Sequence, residues 1–138
     1  MLWTSDAALF QLPAGSAYPP VKLLRPPMII ARRDLLLRDG NRLRRISVRL
    51  FAPQLETSGS WACRYEVDWP GESHSITAFG FDGIQSIFIA LQMIGAEIYT
   101  SNYHKDGNLF WDKPGNGYGF PIASTLRDLL QGDDIKYV

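Results

Sequence analysis

Cysteine, histidine and net charge are what this chain of 138 residues has least of. Cys63 stands alone, so no internal disulfide can form, and with only His74 and His104 beside it no zinc-ligand spacing exists. Asp106, Asn108 and Asp112 open like a calcium loop but lack its remaining ligands and its terminal glutamate. Neither a metal nor a cofactor is expected. No window approaches the ~18 uninterrupted apolar residues of a membrane span. Residues 1–27 lack the basic start, apolar run and small-residue cleavage site of a secretory signal. A soluble, cytoplasmic protein without membrane contact is the expectation.

Apolar content of 46% and charged content of 20% are those of a globular chain. Its length fits one domain, able to bury roughly 70% of the surface that its unfolded form exposes. The fourteen basic and fourteen acidic side chains cancel, yet they are unevenly spread. Lys22, Arg25, Arg32, Arg33, Arg38, Arg42, Arg44, Arg45 and Arg49 face only Asp34 and Asp39 within residues 22–49. Such an excess can attract phosphate. Solvation, or pairing with later acids such as Glu66 and Asp68, is the stronger expectation.

Residues 1–27 hold five of the nine prolines and no sustained period, which marks a Pro-rich arm ahead of a single domain over 28–138. Ser5 or Asp6 is placed to cap a short helical stretch through Ala7 to Gln11. Trp3, Leu9, Phe10, Tyr18, Leu23 and Leu24 are apolar anchors, so the arm either covers the core or extends upstream of a start at Met28.

From Met28 the pattern is that of strands. Met28 to Arg38 and Arg44 to Ala52 flank the turn Asp39-Gly40-Asn41. Trp61, Cys63, Tyr65, Val67 and Trp69 then alternate with Ala62, Arg64, Glu66 and Asp68, and Ser73 to Gly80 returns after Pro70-Gly71. Links this short require an antiparallel meander. Asp82, with Gln85 three residues on, predicts a capped helix from Gly83 to about Thr100. Its stripe of Ile84, Ile87, Phe88, Leu91, Ile94, Gly95 and Ile98 should meet the sheet. Ile89, Ala90, Met93 and Ala96 make the back apolar too, and Glu97 is the only charged residue in the helix. The arm, the C-terminal segment or another subunit must cover that back.

Between this helix and a short C-terminal one, begun by Ser124, striped by Leu126, Leu129 and Leu130 and stopped by Gly132, lies HKDGNLFWDKPGNGYGFP, His104 to Pro121. Leu109 to Trp111 reads as a short strand and Lys113 to Gly119 as a glycine-rich loop. The stretch is expected to act as a strap, with Trp111, Tyr118 and Phe120 inserted into or beside the core. Tyr103, His104, Trp111, Asp112, Lys113, Asn116 and Tyr118 are its candidate ligand-binding residues.

Catalytic motifs are weak. GFDGIQS lacks the small residues around Ser86 of a nucleophile elbow, and Cys63 lies on an apolar strand face, where a thiol is inert. Gly115, Gly117 and Gly119 alternate, but Phe120-Pro121 follows them instead of the helix a phosphate cradle needs. No catalytic residue is assigned. The exposed face of the second and third strands (Arg45, Ser47, Arg49, Phe51, Ala62, Arg64, Glu66 and Asp68) carries one ring, which argues against nucleic-acid stacking.

WACRYEVDWPG, FGFDGIQSIFIALQMIG, GNLFWD and GFP together resemble a family of small uncharacterised bacterial proteins, a domain of unknown function. The likeness covers roughly Met28 to Pro121 and implies no activity, cofactor or catalytic residue. The expected fold is α+β: an antiparallel four-stranded meander sheet packed on one long helix, with a further short strand and a short C-terminal helix. The leading functional expectation is a non-catalytic binding or interaction protein, immunity-like or self-associating as a homodimer. Leu35 to Leu37, the helix back and the arm exceed what one small core needs. The alternatives are an enzyme with an acid/base site around His104 to Asp112, and an anionic-ligand or nucleic-acid binder using the basic patch Arg33, Arg45, Arg49 and Arg64.

Overall fold

A computed structural model describes residues 26–138 with their side chains and, ahead of these, only the backbone of Ala8–Phe10 and Val21–Leu23. Those two segments are strands β1 and β2, paired antiparallel with Ala8 opposite Leu23. The strand at Ala8–Phe10 stands where a helix through Ala7 to Gln11 was expected. One turn of helix fixes many dihedrals for a single hydrogen bond, whereas pairing with a second strand satisfies the backbone directly. Ser5, Asp6 and the anchors Trp3, Tyr18 and Leu24 lie outside the described residues.

The main sheet is an antiparallel meander built from β3 (Ile29–Asp39), β4 (Arg42–Phe51), β6 (Trp61–Trp69) and β7 (Glu72–Gly80). Two short strands, β5 (Gln54–Leu55) beside β6 and β8 (Leu109–Phe110) beside β3, bring it to six. Asp39 pairs with Arg42 across a two-residue turn in which Gly40 takes a positive φ of 59°. Gly71 does the same at 76° between Trp69 and Glu72, a conformation that a side chain would strain.

Helix α1 (Gly83–Thr100) crosses β6 and β7. Asp82 caps it by accepting from the Gln85 amide at 2.7 Å, and the Gln85 side chain accepts from Phe81 N, one residue ahead of the cap itself. The buried face keeps Ile94, Gly95 and Ile98 of the expected stripe, with Ile87 and Leu91 packed against the core, and departs from it toward the start of the helix. Ser86, Ala90, Ile94, Gly95, Ile98 and Tyr99 are buried, whereas Ile84 and Phe88 are 80% and 52% exposed. Small residues decide this. A Cβ on Gly80 would lie 2.6 Å from Ser86 N, so the first helical turn sits too close to the strand for a side chain much larger than that of Ser86.

A helix about 10 Å wide spans two strands spaced about 4.8 Å apart, so α1 cannot also cover β3 and β4. Leu35, Leu37, Ile46, Val48 and Leu50 on those strands are nevertheless buried. Leu35 and Leu37 are therefore core, not the surplus apolar surface expected of Leu35 to Leu37. Their cover is the strap: Tyr118, Phe120 and Ile122 complete the same cluster. The strap crosses α1 at Gly95, where a Cβ would lie 2.4 Å from the Pro121 carbonyl. The C-terminal segment thus closes the helix, with Ile89, Met93, Leu126 and Leu130 packed against the core.

Ser124 to Leu129 form a 3₁₀ turn without a side-chain cap, and after Gly132 a four-residue helix, Asp134–Tyr137, ends the chain. Another short helix, α2 (Asn102–Lys105), follows α1. On the far side of the sheet Ser47, Phe51 and Ala62 are buried, contrary to the exposure expected of them, and the Arg64 guanidinium lies 3.8 Å over the Phe51 ring. Among the described residues no helix is long and apolar enough to cross a membrane.

Candidate functional site

Glu97 falls on the face of α1 that carries Ala90, Ile94 and Ile98 into the sheet, where a carboxylate must find donors or forfeit its charge. The strands supply three. Tyr65 donates its hydroxyl at 2.9 Å to one oxygen, and the Trp69 indole N–H reaches the other at 2.7 Å. His74 Nδ1 lies 2.7 Å from that second oxygen. Period-two alternation puts Tyr65, Val67 and Trp69 on the helix side of β6, and the register sets His74 opposite Val67 and Glu72 opposite Trp69. Burial first, and then the charge of Glu97, push the Tyr65 phenol far above its ordinary value, so it remains a donor. Glu72 closes the row from outside, 3.6 Å from His74 Nε2.

This cluster forms the floor of an open cleft of about 570 Å³ lined by Trp69, Pro70, Glu72, His74, Glu97, Thr100, Ser101, Asn102 and Tyr103. Ser101 sets its far wall. It ends α1 and begins α2, donating to Ile98 O at 2.7 Å and accepting from His104 N at 3.2 Å. The turn of backbone so fixed stacks Tyr103 on Trp69, with ring centroids 5.2 Å apart and planes 17° from parallel.

Of the candidate ligand-binding residues, only Tyr103, one position ahead of the strap, lines this cleft. His104 instead joins a second, more enclosed cluster, its Nδ1 2.6 Å from the Tyr118 hydroxyl and its ring edge-on to Tyr99 and Tyr118. Burial lowers the His104 pKa from its ordinary 6.5. The carboxylate of this cluster is neither Asp106 nor Asp112 but Asp134. Its oxygens accept from Tyr99 at 2.5 Å, from the Tyr118 amide at 2.7 Å and from the Gly119 amide at 2.8 Å. The glycine loop therefore cradles an anion after all, and the anion belongs to the chain. Gly117, at φ 85°, has no room for a Cβ, which would lie 2.4 Å from the Asp134 carboxyl carbon.

Arg33 holds the opposite edge of the strap, donating to the Tyr118 and Gly119 carbonyls at 2.9 and 3.0 Å and lying 4.0 Å from the Trp111 ring centroid. Trp111 is thus a lid over Arg33, 41% exposed, beside the core and not within it. Asp112 accepts from Asn116, which also donates to Asp133, on the exposed loop that carries Lys113. The other three arginines occupy the far side of the sheet, each engaged by an acid. Arg49 bonds Glu66 and Asp68, Arg64 lies 3.2 Å from Glu66, and Arg45 lies 3.6 Å from Asp34.

Sequence reasoning passed over Trp69, Glu72, His74 and Glu97. One signal pointed to them: the sole charge of an apolar helix, spaced three and seven residues after Ile94 and Ala90, falls on the sheet-facing side. Its partners could not be read, because they depend on the register of β6 against β7.

Comparisons with curated proteins and with solved structures each return no match. A family described as a domain of unknown function (DUF6968) matches residues 31–122, which include the meander, α1, the cleft and the strap through Ile122 but not Asp134. Since that span covers more than half of the chain, the protein belongs to this family of unknown function.

Proposed function

We propose that the protein is a non-catalytic binding protein and that the cleft between the β6–β7 turn and the start of α2 receives its ligand. The observation that carries this reading is the state of Glu97. A carboxylate whose two oxygens already meet Tyr65, Trp69 and His74 is fixed in place by its partners, which suits recognition better than general-base work. The nearby hydroxyl of Ser101 is committed to the α1–α2 junction and is not poised as a nucleophile. The aromatic wall and the few convergent polar groups around a concave surface are the features of ligand sites in general.

Ligand-observed magnetic resonance with a fragment library of mixed charge tests this. Hits that bind the wild type and are lost in Tyr103→Ala support the reading. Hits indifferent to that substitution, or chemical turnover of a hit, contradict it.

A second reading, self-association, is favoured by Phe81, Ile84 and Phe88, which stand 94%, 80% and 52% exposed at the start of α1. Sedimentation of the wild type beside Phe81→Ser decides it. A dimer weakened by the substitution supports self-association, and a monomer at every concentration removes it.

A further inference from the structure

We infer that the cleft takes an organic cation, a guanidinium or primary ammonium group on a short aliphatic stem. The inference rests on the binding reading above and specifies the charge that the ligand carries. The lining holds two carboxylates, Glu72 and Glu97, and neither lysine nor arginine. An anion would meet both carboxylates without a fixed positive partner. Glu97 has about four acceptor positions, of which Tyr65, Trp69 and His74 fill three, so one is left for a further N–H. Glu72 stands at the rim with its side chain 74% exposed, free to swing toward the same group.

The rings supply the second attraction. Trp69 and Tyr103 line the cleft as a stacked pair, and a ring face that the stack leaves uncovered draws an organic cation most strongly where water is partly excluded. A neutral aromatic ligand would stack there but leave the last acceptor position of Glu97 without a donor. A metal ion is a poorer occupant: Glu72 and Glu97 lie at opposite ring nitrogens of His74, and among the described residues no three His, Cys, Asp or Glu side chains are grouped to hold one.

A free small amine and the lysine or arginine side chain of a partner polypeptide offer the same chemistry, and the choice of probes separates them. The full chain, labelled with ¹⁵N, is titrated with butylguanidinium, with its neutral counterpart N-butylacetamide, and with a capped pentapeptide carrying one central arginine. Butylguanidinium is expected to shift the Trp69 indole resonance together with His74 and Asn102 and to saturate, and N-butylacetamide to do neither. Glu72→Gln, which alters one exposed rim charge, should weaken butylguanidinium about two- to five-fold. Glu56→Gln, outside the cleft, should leave it unchanged. Tighter binding of the peptide than of butylguanidinium assigns the cation to a partner's side chain, and the reverse order to a free amine. Equal affinity for N-butylacetamide, or indifference to Glu72→Gln, overturns the inference while the cleft stands as a ligand site. If no fragment of any charge moves these resonances, both readings fall.

Discussion

Replacing Asp134 by alanine should unlock the strap. In the folded protein its carboxylate is 3% exposed and is the hydrogen-bond acceptor for the Tyr99 hydroxyl and the Tyr118 and Gly119 amides. Alanine leaves three donors without a partner, each costing about 1–3 kcal/mol where water cannot reach it. Glycines on either side of Tyr118 and the exposed Asn116 loop let water reach some of the three, so the expected net loss is about 2–5 kcal/mol. Tyr99→Phe removes one of the three bonds and should cost about 1.5–3 kcal/mol, the range for a hydrogen bond to a charged group. Because the two substitutions share that bond, the double variant should lose less than the sum of the single ones. Urea denaturation supplies the energies, with an unchanged m-value as the sign that the same surface unfolds. Hydrogen exchange at the Gly119 amide supplies the local readout and should accelerate in Asp134→Ala. A loss under about 0.5 kcal/mol, with Gly119 exchanging as slowly as before, would refute the view that this carboxylate holds the strap.

Three further outcomes follow from the same structure. Gly95→Ala should destabilise by about 1–3 kcal/mol despite a helix propensity favouring alanine by about 1 kcal/mol, because the added methyl meets a backbone carbonyl; thermal unfolding measures the sign. Burial depresses the His104 pKa from 6.5, so the unfolded chain binds the proton more readily, and His104 contributes stability above that value that is lost as pH falls through it. Denaturation profiles between pH 8 and about pH 5 should therefore slope downward toward acid in the wild type and flatten in His104→Gln. Cys63 is fully buried, with its thiol pushed up to about 11, so a thiol reagent at pH 8 should label it only at the rate of unfolding.

Legibility in the sequence followed the range of the interactions. The meander was readable because alternation and turn chemistry are local: Trp61 to Trp69 alternates without interruption, and Gly40 and Gly71 mark two-residue turns. The start of α1 was equally plain from Asp82 and Gln85. The facing of its first turns was not, because Ile84 and Phe88 are better hydrophobes than Ser86, and only the close approach at Gly80 favours the smaller residue. The strap was recognisable as a strap, yet its anchor Asp134 lies 17 residues beyond Gly117 in a segment without a motif. The cleft was the least legible, since Glu97, His74 and Trp69 meet through helix phase and strand register together, and neither is written in any short stretch. The arginine-rich hairpin reads as a basic patch only until β6 supplies Glu66 and Asp68.

The most direct test of the central claim is a crystal of the full chain soaked with the fragments that bind it best. The account predicts density in the cleft, against the Trp69 and Tyr103 rings and with a donor facing Glu97. Fragments seated elsewhere, with the cleft filled by ordered water alone, would contradict it.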